Sequence, residues 1–312
     1  MVLLRDGHAV GEVIVLAYAP RTDLAMERAA SLSPALAGVE MENRRLREAE
    51  LTRVHVHAGT AAKALGKAPG VYWTLSHPRL PSLTPEERMP FADSAASELR
   101  RMLPDKGTVL VIGLGNRRIT ADALGARTVE GTLVTRPWSE EVSARCVCAM
   151  TPGVLGVTGL ETLEVVRGMV SQVHPAAIIA VDSLAAQSTE RIATTVQLTD
   201  TGICPGSGVG NHRSGLTRQT CGVPVIAVGV PMVVYAATIV RDALSRSLPQ
   251  DASPEAVEQA AADLARGAPD DLVVTPRNID ELIAGTGDFL ALAINAALHP
   301  DLTLDELANR LH

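Results

Sequence analysis

Val109 to Gly125 reads VLVIGLGNRRITADALG. An apolar, β-branched run ends in a glycine-rich turn, and a helical pattern follows. At first sight this is a nucleotide-binding loop. The spacing does not sustain that reading. G-L-G-N-R-R lacks the third glycine of the dinucleotide fingerprint, and no Gly-Lys-Ser/Thr follows. Gly113 and Gly115 permit a tight turn, Asn116 can bridge loop backbone through its side chain, and a carboxylate, Asp122, stands where the helix begins.

The same strand-turn-helix grammar recurs downstream. Thr108 to Ile112, Ala177 to Val181 and Val223 to Val228 are continuous apolar runs separated by helical patterns. Such runs imply parallel strands buried on both faces. Arg53 to His57 and Val71 to Leu75 read as shorter strands, Gly59 to Gly66 and Ala92 to Met102 as helices. The third apolar run is followed by GVP and then VVYAATIVRDAL, which reads as a helix. Pro249 to Ala268 reads as a polar surface insertion, and Ile279 to Leu298 as a closing helix opened by TPRNIDEL. No linker divides the chain. The expected fold is therefore one α/β domain, a three-layer α/β/α sandwich on a mostly parallel central sheet. The first 23 or so residues stand apart from it.

Composition narrows the function. The 312 residues are 46% hydrophobic and only 2% aromatic, so the core is aliphatic. A net charge of −7 argues against a broad basic face for nucleic acid. No signal peptide is evident, and no apolar run is expected to span a membrane, which points to a cytoplasmic protein. Cys146, Cys148, Cys204 and Cys221 form no C-x-x-C pair and read as free thiols. His55 and His57 alternate on one strand face, but without a nearby carboxylate they make a weak metal site. No metal or cofactor is expected.

Two carboxylates draw attention. Asp182 closes the run AAIIAVD at the carboxyl end of a buried strand, the edge where ligands gather in α/β sheets. It reads equally as the N-cap of a helix SLAAQSTERI. Asp122 reads as a helix-start residue or as the group the glycine loop presents. If the two meet across the top of the sheet, they cannot easily both ionise; sharing one proton, they can activate water and protonate a leaving amine. Asp200, Thr201 and Gly202 spell DTG, but the pepsin-like fold that uses it is all-β. The loop PGSGVGN, with Gly206, Gly208, Gly210 and Asn211, is expected to line the same cleft. His174 reads as a loop residue, and no G-x-S-x-G elbow occurs.

Eight stretches then fall in a telling order. They are RTDLA (Arg21–Ala25), ALGKAPG (Ala64–Gly70), VIGLGN with TADALG (Val111–Gly125), and PGVLGVTGLET (Pro152–Thr162). AVDSLA (Ala180–Ala185), TDTGICPGSGVGN (Thr199–Asn211), VPVIAVGVP (Val223–Pro231) and VTPRNIDELI (Val274–Ile283) complete the set. Together they resemble the germination proteases, or spore proteases, of spore-forming bacteria. The resemblance implies a fold similar to the hydrogenase maturation proteases (phosphorylase/hydrolase-like). It implies a homotetramer of the spore core that cleaves the small acid-soluble proteins coating spore DNA. It implies a zymogen that cuts itself between Asp23 and Leu24, so that residues 1–23 are a propeptide and 24–312 the protease domain. It places the two catalytic aspartates on Asp122 and Asp182. This chain departs from the family's usual residues at Ala121, Ala126, Ser183, Gln187, Met232 and Tyr235.

Three other readings compete. A peptidyl-tRNA hydrolase-like enzyme shares a GLGN loop but needs a catalytic His and a basic face. A hydrogenase-maturation-type protease is closer in chemistry but shorter. A non-catalytic nucleotide-binding module would use the loop for phosphate.

Overall fold

The structure, a computed structural model, describes residues 22–31, 37–46, 49–138, 144–204, 214–247, 260, 272–303 and 306. Among these, nine strands form one sheet. In chain order they are β1 Val39–Leu46, β2 Ala49–Val56, β3 Gly70–Ser76, β4 Val109–Gly113, β5 Val147–Met150, β6 Ala177–Ala186, β7 Thr195–Thr199, β8 Val225–Tyr235 and β9 Val273–Val274. The spatial order is β1-β2-β3-β7-β8-β6-β4-β5, with β9 paired to β8.

The three expected apolar runs lie side by side as β8, β6 and β4, and with β5 they run parallel. The sheet as a whole is mixed, because β7, β3, β2 and β1 extend it antiparallel. Helices cover both faces of the parallel part, which is the α/β/α layering read from the pattern. The pleat sorts the side chains. Val109, Val111, Ile179 and Val181 pack under α3 (Pro85–Met102), α4 (Leu124–Glu130) and α9 (Ile279–Leu298). Leu110, Ile112, Ile178 and Ala180 pack on the other face, against α6 (Thr162–Val173) and α7 (Arg218–Cys221). Among the described residues the other α-helices are α1 (Ala25–Ser31), α2 (Thr60–Leu65), α5 (Leu155–Thr158) and α8 (Ala236–Ser247).

β2 begins at Ala49 rather than Arg53 and α3 at Pro85 rather than Ala92, and two further differences share one cause. β6 does not stop at Asp182 but continues to Ala186, and β8 does not turn helical after GVP but continues to Tyr235. The two extensions pair with each other, so each supplies the ladder that the other needs. Pro231 interrupts neither, because the register shifts there: Leu184 faces Pro231 and Ala185 faces Val233. A bulge is a place where a strand tolerates proline. Asp182 is therefore a mid-strand residue, not a helix cap.

The closing helix α9 has the predicted bounds, Ile279–Leu298. Contrary to the reading that no apolar stretch has membrane-spanning length, it is long and apolar enough to cross a bilayer by composition. Here its apolar faces are spent on the core against α3 and α4. Residues 1–21 of the leader lie outside the described residues, as do nearly all of 249–268 and all of the loop 205–213 that carries Gly206, Gly208, Gly210 and Asn211.

Candidate active site

The β4–α4 turn answers the question raised by its glycines. Gly115 has φ +94, and a Cβ there would stand 2.0 Å from the Asp122 carbonyl oxygen. A Cβ on Gly113 would stand 2.2 Å from the carbonyl oxygen of Gly125. The glycines let the chain after the turn fold back onto the turn itself. Asp122 ends a 3-10 turn, Thr120–Asp122, before α4 begins. The N-cap of α4 is Ala123, which makes no side-chain cap bond, and Asp122 Oδ2 accepts the Asn116 N–H at 2.6 Å. As expected, the Asn116 side chain bridges loop backbone, accepting the Arg118 N–H at 3.0 Å. The N–H groups of Leu114 and Ile119 go to the carbonyls of Val181 and Asn116. A phosphate cradle needs such donors aimed outward. These are turned inward, and the loop presents a carboxylate.

Asp182 is 7% exposed and lines the same cleft as Asp122, a space of about 610 Å³. Burial pushes its carboxyl well above the usual range. The nearby charge of Asp122 pushes further, then that of Asp23, while the Ser183 N–H at 2.9 Å opposes them. The sheet thus brings together the two residues singled out from sequence. It adds a third carboxylate, Asp23.

Asp23 enters because the chain before α1 lies along the free edge of β6. β4 ends opposite Val181, so the β6 extension has no strand partner on that side. Asp23 takes the place: its N–H donates to the Ala185 carbonyl at 2.9 Å, and the Ala185 N–H donates to Asp23 Oδ2 at 2.8 Å. Leu24 is fully buried against Leu184, Ala186 and Val234. Thr22 accepts the Leu24 N–H and donates at 2.5 Å to Glu27, which also accepts the Gln187 N–H at 2.7 Å. Burial raises the Glu27 carboxyl, against the pull of these hydrogen bonds.

Sequence reasoning missed Lys67 and Gln197, which also line the cleft. Lys67 sits just past α2, and burial of its ammonium holds it below the ordinary lysine range, against the nearby Asp23 charge. A lysine inside a Gly-rich motif, ALGKAPG, was the available signal. Gln197 stands in register with Gly229, and Gly229 with Asp182, so the three form one row across β7, β8 and β6.

The decoys fall elsewhere. Asp200 accepts the Val71 N–H at 2.9 Å and ties β3 to the end of β7. Thr201 and Gly202 border the cleft, but Asp200 does not. His174 is the left-handed C-cap of α6, with φ 50. All four cysteines are free. His55 and His57 do have a carboxylate beside them, contrary to the sequence reading. Glu40, from the facing strand β1, lies 3.7 Å from His55 Nδ1 and 2.8 Å from His57 Nε2. Cross-strand register, Glu40 opposite His55, creates that neighbour. Of the departures, Ala121 and Ser183 line the cleft, while Ala126, Met232 and Tyr235 are buried.

Residues 21–252 match the family model for the germination proteases. The chain belongs to the germination protease family. A germination protease from Caldanaerobacter subterraneus is 39% identical over 326 residues, covering 96% of this chain and all of that one. One from Clostridium acetobutylicum is 37% identical, covering 86% of this chain and 91% of that one. One from Bacillus cereus is 33% identical, covering 95% and 98%. Among solved structures, the [NiFe] hydrogenase maturation protease HycI from Thermococcus kodakarensis aligns with 63% of this chain and 98% of its own, at 15% identity and a TM-score of 0.35. As a germination protease family member, the chain is a protease, and its substrates are proteins. Motifs from Arg21 to Pro231 that carried the resemblance fall within the matched span; VTPRNIDELI lies beyond it but inside the full-length alignments.

Proposed function

We propose that this germination protease hydrolyses peptide bonds with Asp122 and Asp182 as one catalytic pair. The observation that carries this reading is the buried Asp182, its carboxyl raised by burial and by the Asp122 charge, in a cleft that is also lined by Asp23 of the chain's own leading segment. Asp182 keeps its proton and serves as the acid toward the leaving amine. Asp122, held by the Asn116 N–H, takes a proton from the attacking water. One proton shared between two carboxyls supplies both halves of the reaction.

Residues 1–23 act as a propeptide, and the Asp23–Leu24 bond is cut by the protein itself. Its placement beside the aspartates gives it a high effective concentration. The mature protease works as a homotetramer in the cytoplasm of a spore-forming cell, on small acid-soluble spore proteins, and uses no cofactor. Purified full-length protein incubated with a small acid-soluble spore protein should give discrete fragments by mass spectrometry. Its own product should begin LAMERAA. Asp122→Asn and Asp182→Asn should leave both polypeptides whole. Fragmentation by either variant at the wild-type rate would refute the pair.

A further inference from the structure

The Asp23 carbonyl oxygen is held by two side-chain donors. Lys67 Nζ donates to it at 2.8 Å, and Gln197 Nε2 at 3.1 Å. The same Gln197 amide accepts the Ala25 N–H through Oε1 at 2.7 Å. One carboxamide therefore grips the chain on both sides of the Asp23–Leu24 bond and sets it against the row Gln197–Gly229–Asp182. Lys67 also reaches the Thr22 carbonyl, at 3.4 Å.

This is more than a buried carbonyl needs. A neutral carbonyl is satisfied by one backbone N–H, whereas an ammonium taken out of water is costly. The cation becomes worth its desolvation if the oxygen turns negative. Donors at about 2.7–3.1 Å from a developing oxyanion, in a site shielded from water, act in that way. Both donors already reach the ground-state oxygen, at 2.8 and 3.1 Å, and their hold strengthens as that oxygen becomes negative.

We propose that Lys67 and Gln197 form the oxyanion site of this protease, binding the carbonyl oxygen of the peptide bond under attack. The assignment rests on the aspartate pair and on the Asp23–Leu24 junction proposed above. In the self-cleavage step, water loses a proton to the Asp122 carboxylate while its oxygen bonds to the Asp23 carbonyl carbon. The carbonyl π pair moves onto oxygen, where Lys67 and Gln197 hold it. When the carbonyl re-forms, the bond to the Leu24 nitrogen breaks, and that nitrogen takes the Asp182 proton. The products are an Asp23 α-carboxyl and a Leu24 amine. A substrate chain then presents its own scissile carbonyl to Lys67 and Gln197.

The test uses full-length protein and two probes: conversion of the chain itself, and a synthetic peptide of residues 18–30. Lys67→Met and Gln197→Met should each lower kcat by about 10²–10³-fold, with KM little changed, rates being corrected for the folded fraction. Gln197→Glu separates electrostatics from positioning, and it serves also if Lys67→Met fails to fold. Glutamate keeps the acceptor for the Ala25 N–H but puts negative charge beside the oxyanion. It should be slower than Gln197→Met; a purely positional role predicts that it is faster. Lys67→Arg should recover part of the rate. If Lys67→Met and Gln197→Met both cleave above about a tenth of the wild-type rate while Asp182→Asn is inert, the oxyanion site is wrong and the aspartate pair stands. Wild-type protein that cleaves neither probe overturns both.

Discussion

The Asn116 N–H donates to Asp122 Oδ2 at 2.6 Å, so the loop that resembles a phosphate binder spends its donor on its own carboxylate. Asp122→Asn removes the charge from that bond, which should cost about 1–2 kcal/mol of stability. The variant should still fold, and cleavage should fall by about 10²–10⁴-fold. The double variant with Asp182→Asn should be no slower than the worse single variant, because the two act as a unit. Single-turnover rates on a purified protein substrate check this.

Asp182 links activity to stability with the opposite sign. Its carboxyl is easier to protonate in the folded chain than in the unfolded one, where the ordinary value is 3.8. Folding therefore gains from this group at acid pH and loses that gain as pH rises through the raised folded value. Asp182→Asn removes the ionisation that favours the unfolded chain and can keep the oxygen that accepts the Ser183 N–H. At neutral pH it should melt higher than wild type, and the gap should close as pH falls toward about 4. Thermal melts across that range decide it. A variant that melts lower at neutral pH would mean that Asp182 is held ionised.

Gly115 lets the loop after β4 fold back onto Asp122. Any side chain there meets Asp122 backbone at a positive φ. Gly115→Ala should cost about 1–3 kcal/mol and lower cleavage beyond the loss of folded protein, since Asp122 itself must shift. Rates corrected for the folded fraction separate the two effects.

Leu24 anchors the intact chain at the edge of the cleft. Fully buried against Leu184, Ala186 and Val234, it should cost about 2–5 kcal/mol when cut to alanine. Denaturant melts of full-length Leu24→Ala measure this.

Asp200 tests the DTG motif directly. Its carboxylate holds the Val71 N–H and does not line the cleft. Asp200→Ala should lose about 0.5–1.5 kcal/mol and keep the wild-type kcat. A dead but folded variant would restore the pepsin-like reading.

The sequence by itself determined the class of the fold and singled out the two aspartates that line one cleft. Continuous apolar runs such as VLVIG and AIIAV bury both faces of a strand wherever they lie, and α9 carries its bounds in its own pattern, so those elements are local facts. Motif order was enough to reveal the family. Tertiary structure decided the rest. Whether Asp182 capped a helix or stood mid-strand depended on the β8 extension, more than forty residues away in sequence, which pairs with β6 beyond Asp182. The Glu40 beside His55 and His57 exists only through cross-strand register. Lys67, Gln197 and Asp23 come from three separate segments, and none has a spacing relation to the others. Their meeting is fixed by where β4 ends, because that leaves the β6 edge open to the chain carrying Asp23. Local pattern records what a residue needs from its surroundings; which distant group supplies it is set by packing.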